Sequence, residues 1–426
     1  PEVITLDFYS KSGDSFGVTW QTKEEGKPIL EYTDEDDLNF EHPVRVKGEC
    51  SEGMKAKKNC AVITGIAPGQ RCRWRVGDEC GVRSADAVFT VPPTGGDKLD
   101  FLVFADSQDE DNNGLWWKCA WKDAIGHFPG TRLFAHAGDI VQFSGSHEMW
   151  RDMIGNNEEF VSAYPMLPSA GNHDYWHCYL DGYSSTLYSH FNIDLAPQDT
   201  SHGFYYSVDI GPVHFTVLSS GDLMETNDKL LPTQVEWLVN DLAAADRAWK
   251  IVMIHNPLYS PGKYGARRPV CNAALSLRKQ LNGIFAAYGV DMVLCGHDHV
   301  LGKSYPIRAN STVQTDFEYV TEKIGGTDAK IMIDPAGPIH FEPCCCGNQN
   351  REIEDLTEDF ASELEVAESM HDRAVAYAHI SIDGDTLCLT FREVSVDDGA
   401  DVSEFSFGIR KTKKIFMVLL FQRRCG

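Results

Sequence analysis

The first 95 residues alternate short apolar runs with polar breaks and show no helical period. Glycine, proline and aspartate separate the runs, which is the pattern of short β-strands joined by turns. The predicted strands are Val3–Tyr9, Phe16–Thr22, Ile29–Tyr32, Val44–Lys47, Ala61–Ile66, Cys72–Val76 and Ala87–Val91. Seven short strands in a segment of this length predict an immunoglobulin-like β-sandwich, with Trp20 and Trp74 in its core.

From Leu99 the pattern changes to continuous apolar runs that alternate with amphipathic segments, which indicates buried strands and helices. The predicted strands are Leu99–Ala105, Arg132–Ala137, Pro165–Ala170, His214–Ser219, Ile251–Ile254, Val290–Leu294, Ile331–Ile333, Ala374–Ile382 and Thr386–Val394. The predicted helices are Leu115–Ile125, Met149–Ile154, Pro232–Ala245 and Ala273–Tyr288. The sequence therefore predicts a β-sandwich over residues 1–95, an α/β domain over 98–412 and a tail at 413–426.

Two further segments complete this outline. Val91–Gly96 contains two prolines and two glycines, and it predicts a linker between the two domains. The run Glu352–Glu368 is acidic with interspersed apolar residues, and it predicts a solvated helix or an insertion. His136 and His214 lie inside predicted strands, so we expect both to be structural.

Charge and composition limit the possible partners. The chain of 426 residues has 63 acidic and 38 basic side chains, a net charge of −25. Such a surface repels phosphate backbones, so nucleic acid is excluded as a main partner. No apolar run reaches the roughly 18–20 residues that cross a bilayer, so no membrane span is predicted. Four of the 13 cysteines lie in the sandwich segment, where one or two disulfides are expected: Cys50, Cys60, Cys72 and Cys80.

Polar clusters follow five strands of the predicted α/β domain. They are Asp106-Ser107-Gln108, Gly138-Asp139, Gly171-Asn172-His173-Asp174, His255-Asn256 and Gly296-His297-Asp298-His299. Ligands of open α/β folds bind beyond the carboxyl ends of the strands, so these clusters are expected to meet. Carboxylate, carboxamide and imidazole together suit Mn²⁺, Fe, Zn²⁺ or Mg²⁺. The sequence therefore predicts a site for divalent metal ions.

The ordered series of five clusters resembles the calcineurin-like metallophosphoesterase superfamily. The N-terminal sandwich, together with Ser304-Tyr305-Pro306-Ile307 after the last cluster, makes the chain most similar to the purple acid phosphatase branch. Ile66-Ala67-Pro68-Gly69 resembles the turn into a late strand of a fibronectin type III domain. The resemblance implies an all-β immunoglobulin/fibronectin-like sandwich followed by an α/β four-layer (α/β/β/α) metallophosphoesterase domain.

The resemblance also implies roles for the cluster residues. Asp106 and His299 would bind the first of two metal ions, and Asp139 would bridge both ions. Asn172, His255 and His297 would bind the second ion. His173 would contact the substrate phosphate or protonate the leaving oxygen, so His173 and Asp139 are the expected catalytic residues. The implied reaction is hydrolysis of phosphomonoesters by a metal-bound hydroxide, with phosphodiesterase and pyrophosphatase activity as alternatives on the same site.

Two positions depart from the family pattern. Gln142 stands where purple acid phosphatases have the tyrosine that colours them, so the tyrosinate chromophore is expected to be absent. Gln108 stands where other branches have a histidine. Its carboxamide oxygen is expected to complete the first metal site, with a hydrogen bond to a ligand as the alternative. These departures keep a weakly metallated, non-catalytic binding module open as a second hypothesis.

The expected substrate contacts are less tightly defined by the sequence. Tyr175 directly follows the Gly-Asn-His-Asp cluster, and His340 lies where the family builds a pocket loop. We expect both to contact substrate together with His173. Other candidates at the mouth of the site are Trp176, His177, Tyr264, Arg267 and Arg268. The expected partner is a small phosphorylated substrate, and the resemblance implies an extracytoplasmic or secreted location.

Overall fold

The computed structural model describes residues 1–53, 55–109, 113–175, 186–194, 204–224, 228–265, 273–349, 351–356 and 358–412. The strands are β1 (Glu2–Phe8), β2 (Phe16–Thr22), β3 (Pro28–Asp34), β4 (Val44–Lys47), β5 (Glu49–Glu52), β6 (Lys57–Ile63), β7 (Arg71–Asp78), β8 (Ala87–Thr90), β9 (Lys98–Phe104), β10 (Leu133–His136), β11 (Met166–Pro168), β12 (Tyr206–Ile210), β13 (Val213–Leu218), β14 (Trp249–Ile254), β15 (Met292–Leu294), β16 (Leu301–Ser304), β17 (Glu318–Ile324), β18 (Thr327–Ile333), β19 (Ile339–Pro343), β20 (Leu364–Glu368), β21 (Ala374–Asp383), β22 (Thr386–Ser395) and β23 (Asp401–Arg410). The helices are α1 (Leu115–His127), α2 (His147–Asn156), α3 (Glu158–Val161), α4 (Pro232–Ala244), α5 (Ala273–Ala287) and α6 (Glu358–Ala361).

The N-terminal segment forms the predicted β-sandwich. One sheet has the strand order β4-β3-β7-β8, and it faces the strands β1-β2-β6-β5. The two sheets meet where the ring of Phe16 lies 4.9 Å from that of Phe89. Trp20 and Trp74 are fully buried in this core, as the sequence predicts. The fold prediction for this segment is confirmed, and the structure adds the short strand β5.

The second part of the chain places two sheets face to face. A seven-stranded sheet has the order β12-β13-β14-β15-β19-β16-β20, and β13, β14, β15 and β19 run parallel. It packs on the sheet that contains β9, where the rings of Phe101 and Phe215 are 5.2 Å apart. Leu277, Leu281 and Phe285 of α5 are buried against the outer face of the seven-stranded sheet. With α1 and α2 on the opposite side, the architecture is the predicted α/β/β/α sandwich.

One sheet runs through both parts of the chain. Its order is β17-β18-β23-β22-β21-β9-β10-β11-β1-β2-β6-β5, so strands of the sandwich extend the sheet of the α/β part. The junction is a parallel contact between β1 and β11, in which Asp7 lies opposite Met166. The predicted linker Val91–Gly96 lies between β8 and β9, but the hydrogen-bonded sheet continues beside it.

Several elements differ from the sequence prediction. The strands that the pattern did not predict are β5, β12, β16, β17, β19, β20 and β23. The acidic run Glu352–Glu368 was expected to be a solvated helix or an insertion. Its second half contains the short helix α6 and then β20, which pairs with β16, so the helix prediction is wrong at Leu364–Glu368. The expected disulfides are not formed, because among the described residues Cys50, Cys60, Cys72 and Cys80 are unpaired. No described helix is long and apolar enough to cross a membrane.

A buried charge network ties the sandwich to the α/β part. His214 is fully buried in β13, with Nδ1 2.7 Å from Oδ1 of Asp209 and Nε2 2.9 Å from Oδ2 of Asp241. Lys11, in the turn after β1, forms an ion pair of 2.6 Å with Asp241. Burial alone would lower the pKa of His214, but its two carboxylate partners raise it above 6.5. Burial opposes ionisation of Asp241, yet His214 and Lys11 hold its pKa at about 2.

We expect His214→Gln to destabilise the protein most at weakly acidic pH. The His214 contribution is complete below its unfolded pKa of 6.5 and is lost as pH rises through the raised folded pKa. The Asp241 contribution is complete above 3.8 and is lost as pH falls toward about 2. At about pH 5.5 the variant should therefore lose about 3 kcal/mol, the order for removing one partner of a buried charge pair.

Thermal unfolding at about pH 5.5 and about pH 9 checks this expectation. The Tm difference between wild type and His214→Gln should shrink at the higher pH. His42→Gln, at an exposed position of the sandwich, is the control and should leave Tm unchanged at both values. A Tm difference that stays constant or grows with pH would contradict the charge assignment.

Candidate metal centre

The five polar clusters meet at one edge of the α/β/β/α sandwich. β9, β10 and β11 run parallel in one sheet, and β14 and β15 run parallel in the other. Their carboxyl ends lie side by side, so the loops that follow these strands are brought together. The loops carry Asp106, Gln108, Asp139, Asn172, His173, His255, His297 and His299. Tyr175 and His340, the remaining predicted site residues, are placed elsewhere and are treated below.

Two groups of potential metal ligands share one carboxylate. Asp106, Asp139 and His299 offer donor atoms that all lie within 4.8 Å of one another. Asp139, His255 and His297 form a second group by the same measure. Asp139 is common to both, with Oδ2 3.1 Å from Nε2 of His255. In this arrangement one carboxylate can hold two cations close together, as two-metal hydrolases require.

Two carboxamides flank these groups. Gln108 is fully buried with its amide nitrogen 3.3 Å from Nε2 of His299, and its Oε1 has no hydrogen-bond partner in the described part of the chain. A buried, unsatisfied oxygen is costly unless a further ligand uses it. Asn172 places Oδ1 3.2 Å from Nε2 of His255. Both positions fit the predicted ligand sets, Gln108 beside the first group and Asn172 beside the second.

Backbone carbonyls fix the orientation of three histidines in the site. Nδ1 of His255 donates to the Ala137 carbonyl at 2.8 Å, and Nδ1 of His299 donates to the Gln349 carbonyl. Nδ1 of His173 donates to the Gln142 carbonyl at 2.9 Å. A proton held on Nδ1 leaves Nε2 as the nitrogen with a lone pair, which is how outer hydrogen bonds orient histidine ligands. His255 and His299 therefore present Nε2 to the carboxylates.

The backbone of four candidate ligands lies in the left-handed region. The φ angles are 52° at Asp106, 55° at Asp139, 81° at His297 and 58° at His299. Such residues cost about 1–3 kcal/mol each and persist only where the surrounding structure enforces them, which concentrates them at functional sites. The fold therefore holds these four side chains in positions that a relaxed loop would not adopt.

Glycines give these loops the space they need. A Cβ atom on Gly171 would lie 2.1 Å from Oδ1 of Asp139, and one on Gly296 would lie 2.4 Å from Oδ2 of Asp106. Gly138 has φ +97° and packs against Nδ1 of His255. The glycine that precedes each of these three clusters in the sequence is therefore required by the close approach of another loop.

Asp174 ties two loops of the site together, a role that the sequence analysis did not assign. Its carboxylate accepts hydrogen bonds from the backbone N–H groups of Asp139 at 2.8 Å, Ile140 at 3.0 Å and Gly171 at 2.9 Å. Burial and the nearby charge of Asp139 raise the pKa of Asp174 to about 7. The only signal in the sequence was that Asp174 belongs to the Gly-Asn-His-Asp cluster.

The buried carboxylates of the site need a compensating positive charge. Asp106 and Asp139 are both buried, and an unpaired buried carboxylate is strongly unfavourable. Burial raises the pKa of Asp139, but His255 and the other nearby histidines hold it below its usual value. Burial alone would lower the pKa of His255, whereas Asp139 raises it to about 9. A divalent cation would take over this compensation and bind His255 in its neutral form. The residues present therefore fit two divalent cations.

Two glutamines link His173 to His299. The Gln142 side chain accepts a hydrogen bond from Nε2 of Gln349 at 2.6 Å. The main-chain carbonyl of Gln142 binds His173, and that of Gln349 binds His299. Gln142 thus has a structural role at the position where the family resemblance predicts a chromophoric tyrosine. No pattern in the sequence indicates a role for Gln349, which lies more than 200 residues further along the chain.

We expect Gln349→Ala to weaken metal binding at the first group. The variant removes the hydrogen bond that holds the Gln349 carbonyl against His299, and loss of such an outer contact typically costs about 10–100-fold in metal affinity. Calorimetric titration of the metal-free protein with Mn²⁺ measures this change. Gln314→Ala, which alters a glutamine bonded to the Ala336 backbone, is the control. Unchanged Mn²⁺ affinity in Gln349→Ala would contradict the expectation.

The remaining predicted substrate contacts lie in the interior. His340 is fully buried with its ring 4.7 Å from that of Tyr259, and burial lowers its pKa to about 3. It faces the core beside α5, so its position does not support the expected contact with substrate. Tyr175 is also buried, and its hydroxyl donates to the Ser220 carbonyl at 3.2 Å. Trp176, His177, Arg267 and Arg268 lie outside the described residues.

His136 has the structural role that its place inside a strand predicts. It is fully buried in β10 with Nε2 2.9 Å from the Ser107 hydroxyl. Burial lowers its pKa to about 3. It supports the loop that carries Asp106 and is not among the two ligand groups.

The α/β/β/α sandwich and the two ligand groups that share a buried aspartate agree with the arrangement that the resemblance to metallophosphoesterases implies. Comparison with known proteins agrees with this assignment. Residues 99–301 match the family model of the calcineurin-like phosphoesterases. Residues 99–301 therefore resemble a calcineurin-like phosphoesterase domain, and the chain as a whole is similar to acid phosphatases and purple acid phosphatases.

Individual relatives resemble different lengths of the chain. An acid phosphatase of Aspergillus ficuum is 26% identical over 42% of this chain, and the chain spans 34% of that protein's length. Acid phosphatase type 7 of Mus musculus is 26% identical over 80% of this chain and 76% of its own length. The solved purple acid phosphatase PPD1 of yellow lupin has 17% identity and a TM-score of 0.70, covering 96% of this chain and 74% of that one. The lupin structure supports the fold.

Proposed function

We propose that the protein hydrolyses phosphomonoesters with two divalent cations. The observation that carries this proposal is the buried carboxylate of Asp139, which belongs to both ligand groups. Bound cations would polarise the phosphoryl oxygens and supply a nucleophile from water near neutral pH. The relatives named acid phosphatase support a phosphomonoester as the substrate class.

The side chains would divide the work as follows. Asp106, Gln108 and His299 would hold one cation, and Asn172, His255 and His297 would hold the other. Asp139, which belongs to both ligand groups, would hold the two cations close together. His173 is half-buried, which supports a role in contact with substrate. In its protonated form it would keep Nδ1–H on the Gln142 carbonyl and offer Nε2–H to the leaving oxygen.

Metal reconstitution tests the proposal directly. Protein stripped with a chelator is reloaded separately with Mn²⁺, Fe²⁺, Zn²⁺ and Mg²⁺, and metal content is measured by elemental analysis. Hydrolysis of p-nitrophenyl phosphate, bis(p-nitrophenyl) phosphate and pyrophosphate is then compared. We expect two metals per chain and the highest kcat/KM on the monoester. Less than one metal per chain together with no hydrolysis would favour the non-catalytic binding module, and preference for the diester or pyrophosphate would reassign the substrate class.

We also expect the iron-loaded protein to lack the purple absorption band. Purple acid phosphatases owe their band to a tyrosinate, and the corresponding residue here is Gln142, which binds Gln349. An absorption spectrum of the protein reconstituted with iron and oxidised in air measures this property. A purple band after iron loading would contradict the proposed role of Gln142.

The proposed location is outside the cytoplasm. The combination of an N-terminal sandwich with a purple acid phosphatase-like domain supports it. The proposed partner is a small phosphorylated molecule, because the surface charge of −25 disfavours large polyanions. Fractionation of cells that express the full-length protein, followed by immunoblotting of the medium and cytosol, tests the location.

A further inference from the structure

The metal centre opens to solvent on one side. Asp106, Gln108, Asp139, His255 and His299 are buried, whereas Asn172, His173 and His297 are half-buried. A substrate must therefore approach past the second ligand group, beside His297. The residues around His297 consequently contact whatever part of the substrate extends away from the reacting phosphate.

An aromatic ring and two positively charged side chains lie beside His297. The ring of Tyr264 is 4.4 Å from the ring of His297. The Lys263 ammonium is 5.2 Å from the centre of the Tyr264 ring, and the Arg351 guanidinium is 5.8 Å from it. Lys263 is exposed, and Tyr264 and Arg351 are half-buried. These three residues, the Lys263–Tyr264–Arg351 cluster, form one side of the opening.

Two segments far apart in sequence are anchored so that this cluster forms. The backbone N–H groups of Tyr264 and Gly265 donate to the Asp298 carboxylate at 2.8 and 2.7 Å. The backbone N–H of Arg351 donates to the His299 carbonyl, and its Nη1 donates to the His297 carbonyl at 3.2 Å. Both segments are therefore held by the loop His297–His299 that supplies two of the candidate ligands.

The positive charge of the cluster is only partly compensated, since Arg351 interacts electrostatically with the buried carboxylate of Asp298. Within the described residues, neither Lys263 nor Arg351 forms an ion pair. Asp298 is fully buried and already accepts two backbone N–H groups. Glu352 follows Arg351 in the chain and is exposed. In a chain with a net charge of −25, two unpaired cations beside a phosphate-binding site concentrate negatively charged ligands there.

We propose that the Lys263–Tyr264–Arg351 cluster binds a second anionic group on the substrate. The preferred substrates are then phosphomonoesters whose leaving group carries another phosphate or a carboxylate. Arg351 supplies guanidinium N–H donors suited to oxyanions, Lys263 supplies a mobile positive charge, and the Tyr264 hydroxyl supplies one further donor. This inference rests on the proposed phosphatase function, because it places the reacting phosphate at the metal centre.

Binding of non-hydrolysable ligands tests the inference separately from catalysis. Phenylphosphonate has one anionic group, and 1,4-phenylenebisphosphonate has two on a rigid ring. Calorimetry of the metal-loaded protein with each ligand gives the ratio of the two Kd values. We expect the bisphosphonate to bind about tenfold more tightly than the monophosphonate, the order of one partly exposed charge-assisted contact. High salt should reduce this preference because exposed charges are screened.

Variants assign the preference to the cluster. Arg351→Gln should bring the Kd ratio close to one, and Lys263→Gln should reduce it in part. Arg308→Gln, whose guanidinium pairs with Asp316 away from the site, should keep the wild-type ratio. A wild-type preference below about twofold would overturn the inference, and so would a full preference retained in both Arg351→Gln and Lys263→Gln.

Hydrolysis of phosphate esters that are related to these phosphonates distinguishes the anion site from the proposed phosphatase function. Phenyl phosphate and 4-(phosphonomethyl)phenyl phosphate differ only in the second anion. Absence of hydrolysis of both esters would sink the proposed function, even if the binding preference remained. Hydrolysis of both with equal kcat/KM, and equal Kd for the two phosphonates, would leave the phosphatase function in place and reject the anion site.

Discussion

Asp139→Asn is expected to abolish hydrolysis and to reduce metal binding at both ligand groups. The substitution removes the negative charge that the groups Asp106–Asp139–His299 and Asp139–His255–His297 share. A neutral amide cannot balance two divalent cations in a buried site. We expect the rate to fall by at least about 10²–10³-fold, the loss that follows removal of one preorganised electrostatic group. The measurements are kcat on p-nitrophenyl phosphate and metal content by elemental analysis.

The matched control for this variant is Asp328→Asn. Asp328 is exposed in β18 and pairs with Lys323, so its neutralisation makes the same change of net charge away from the site. It should leave kcat and metal content unchanged. Wild-type activity with two metals per chain in Asp139→Asn would refute the bridging role. Loss of one metal with retained activity would restrict Asp139 to a single ligand group.

Gly171→Ala is expected to disable the site without changing any proposed ligand. The new Cβ would lie 2.1 Å from Oδ1 and 2.3 Å from the backbone nitrogen of Asp139. Backbone cannot yield as a flexible side chain does, so the loop that carries Asp139 must move. Such overpacking costs about 1–3 kcal/mol of stability. The displacement should lower metal content and activity nearly as much as Asp139→Asn does.

Gly126→Ala provides the comparison for this steric argument. Gly126 lies in α1, and a Cβ there would meet no atom within 4 Å. Alanine favours the helix by about 1 kcal/mol over glycine, so Tm should stay constant or rise. Denaturant unfolding and metal analysis of both variants test whether a Cβ atom at position 171 displaces the Asp139 loop. Full metal content in Gly171→Ala would show that the Asp139 loop has more freedom than its contacts indicate.

The sequence predicts those strands that are buried on both faces, and those in which apolar and polar residues alternate clearly. Leu99–Ala105 and Ile251–Ile254 are continuous apolar runs, and the structure places β9 and β14 there. Strand β17 was not predicted, because Glu318–Ile324 is almost fully exposed and has no apolar face to read. Strand β20 was not predicted, because its acidic neighbours indicate a solvated segment while its pairing with β16 supplies the missing stability. The local pattern of apolar and polar residues does not contain information about pairing between segments that are distant in the sequence.

The candidate ligands were predictable because the carboxyl ends of parallel strands meet whatever the loops contain. Asp106, Asp139 and His255 each directly follow an apolar strand, and the structure brings them together. His340 was expected in a pocket loop because of the family resemblance, but it lies inside β19 and is fully buried. Gln349 and Arg351 reach the site from a segment that no strand pattern places there. Residues that orient ligands or line the opening are therefore harder to predict than the ligands.

The shared sheet changes how the sandwich can be treated in engineering. Strand β1 covers the edge of β11, a strand of three residues that leads directly into the Asn172 loop. A truncation that begins after residue 95 would expose that edge, and bare strand edges recruit other chains. The N-terminal sandwich therefore protects the edge of β11 and cannot be removed as an independent domain. Fusion partners and purification tags belong in the exposed β17–β18 hairpin, and a shortened catalytic fragment would need a substitute for β1 to keep the edge of β11 covered.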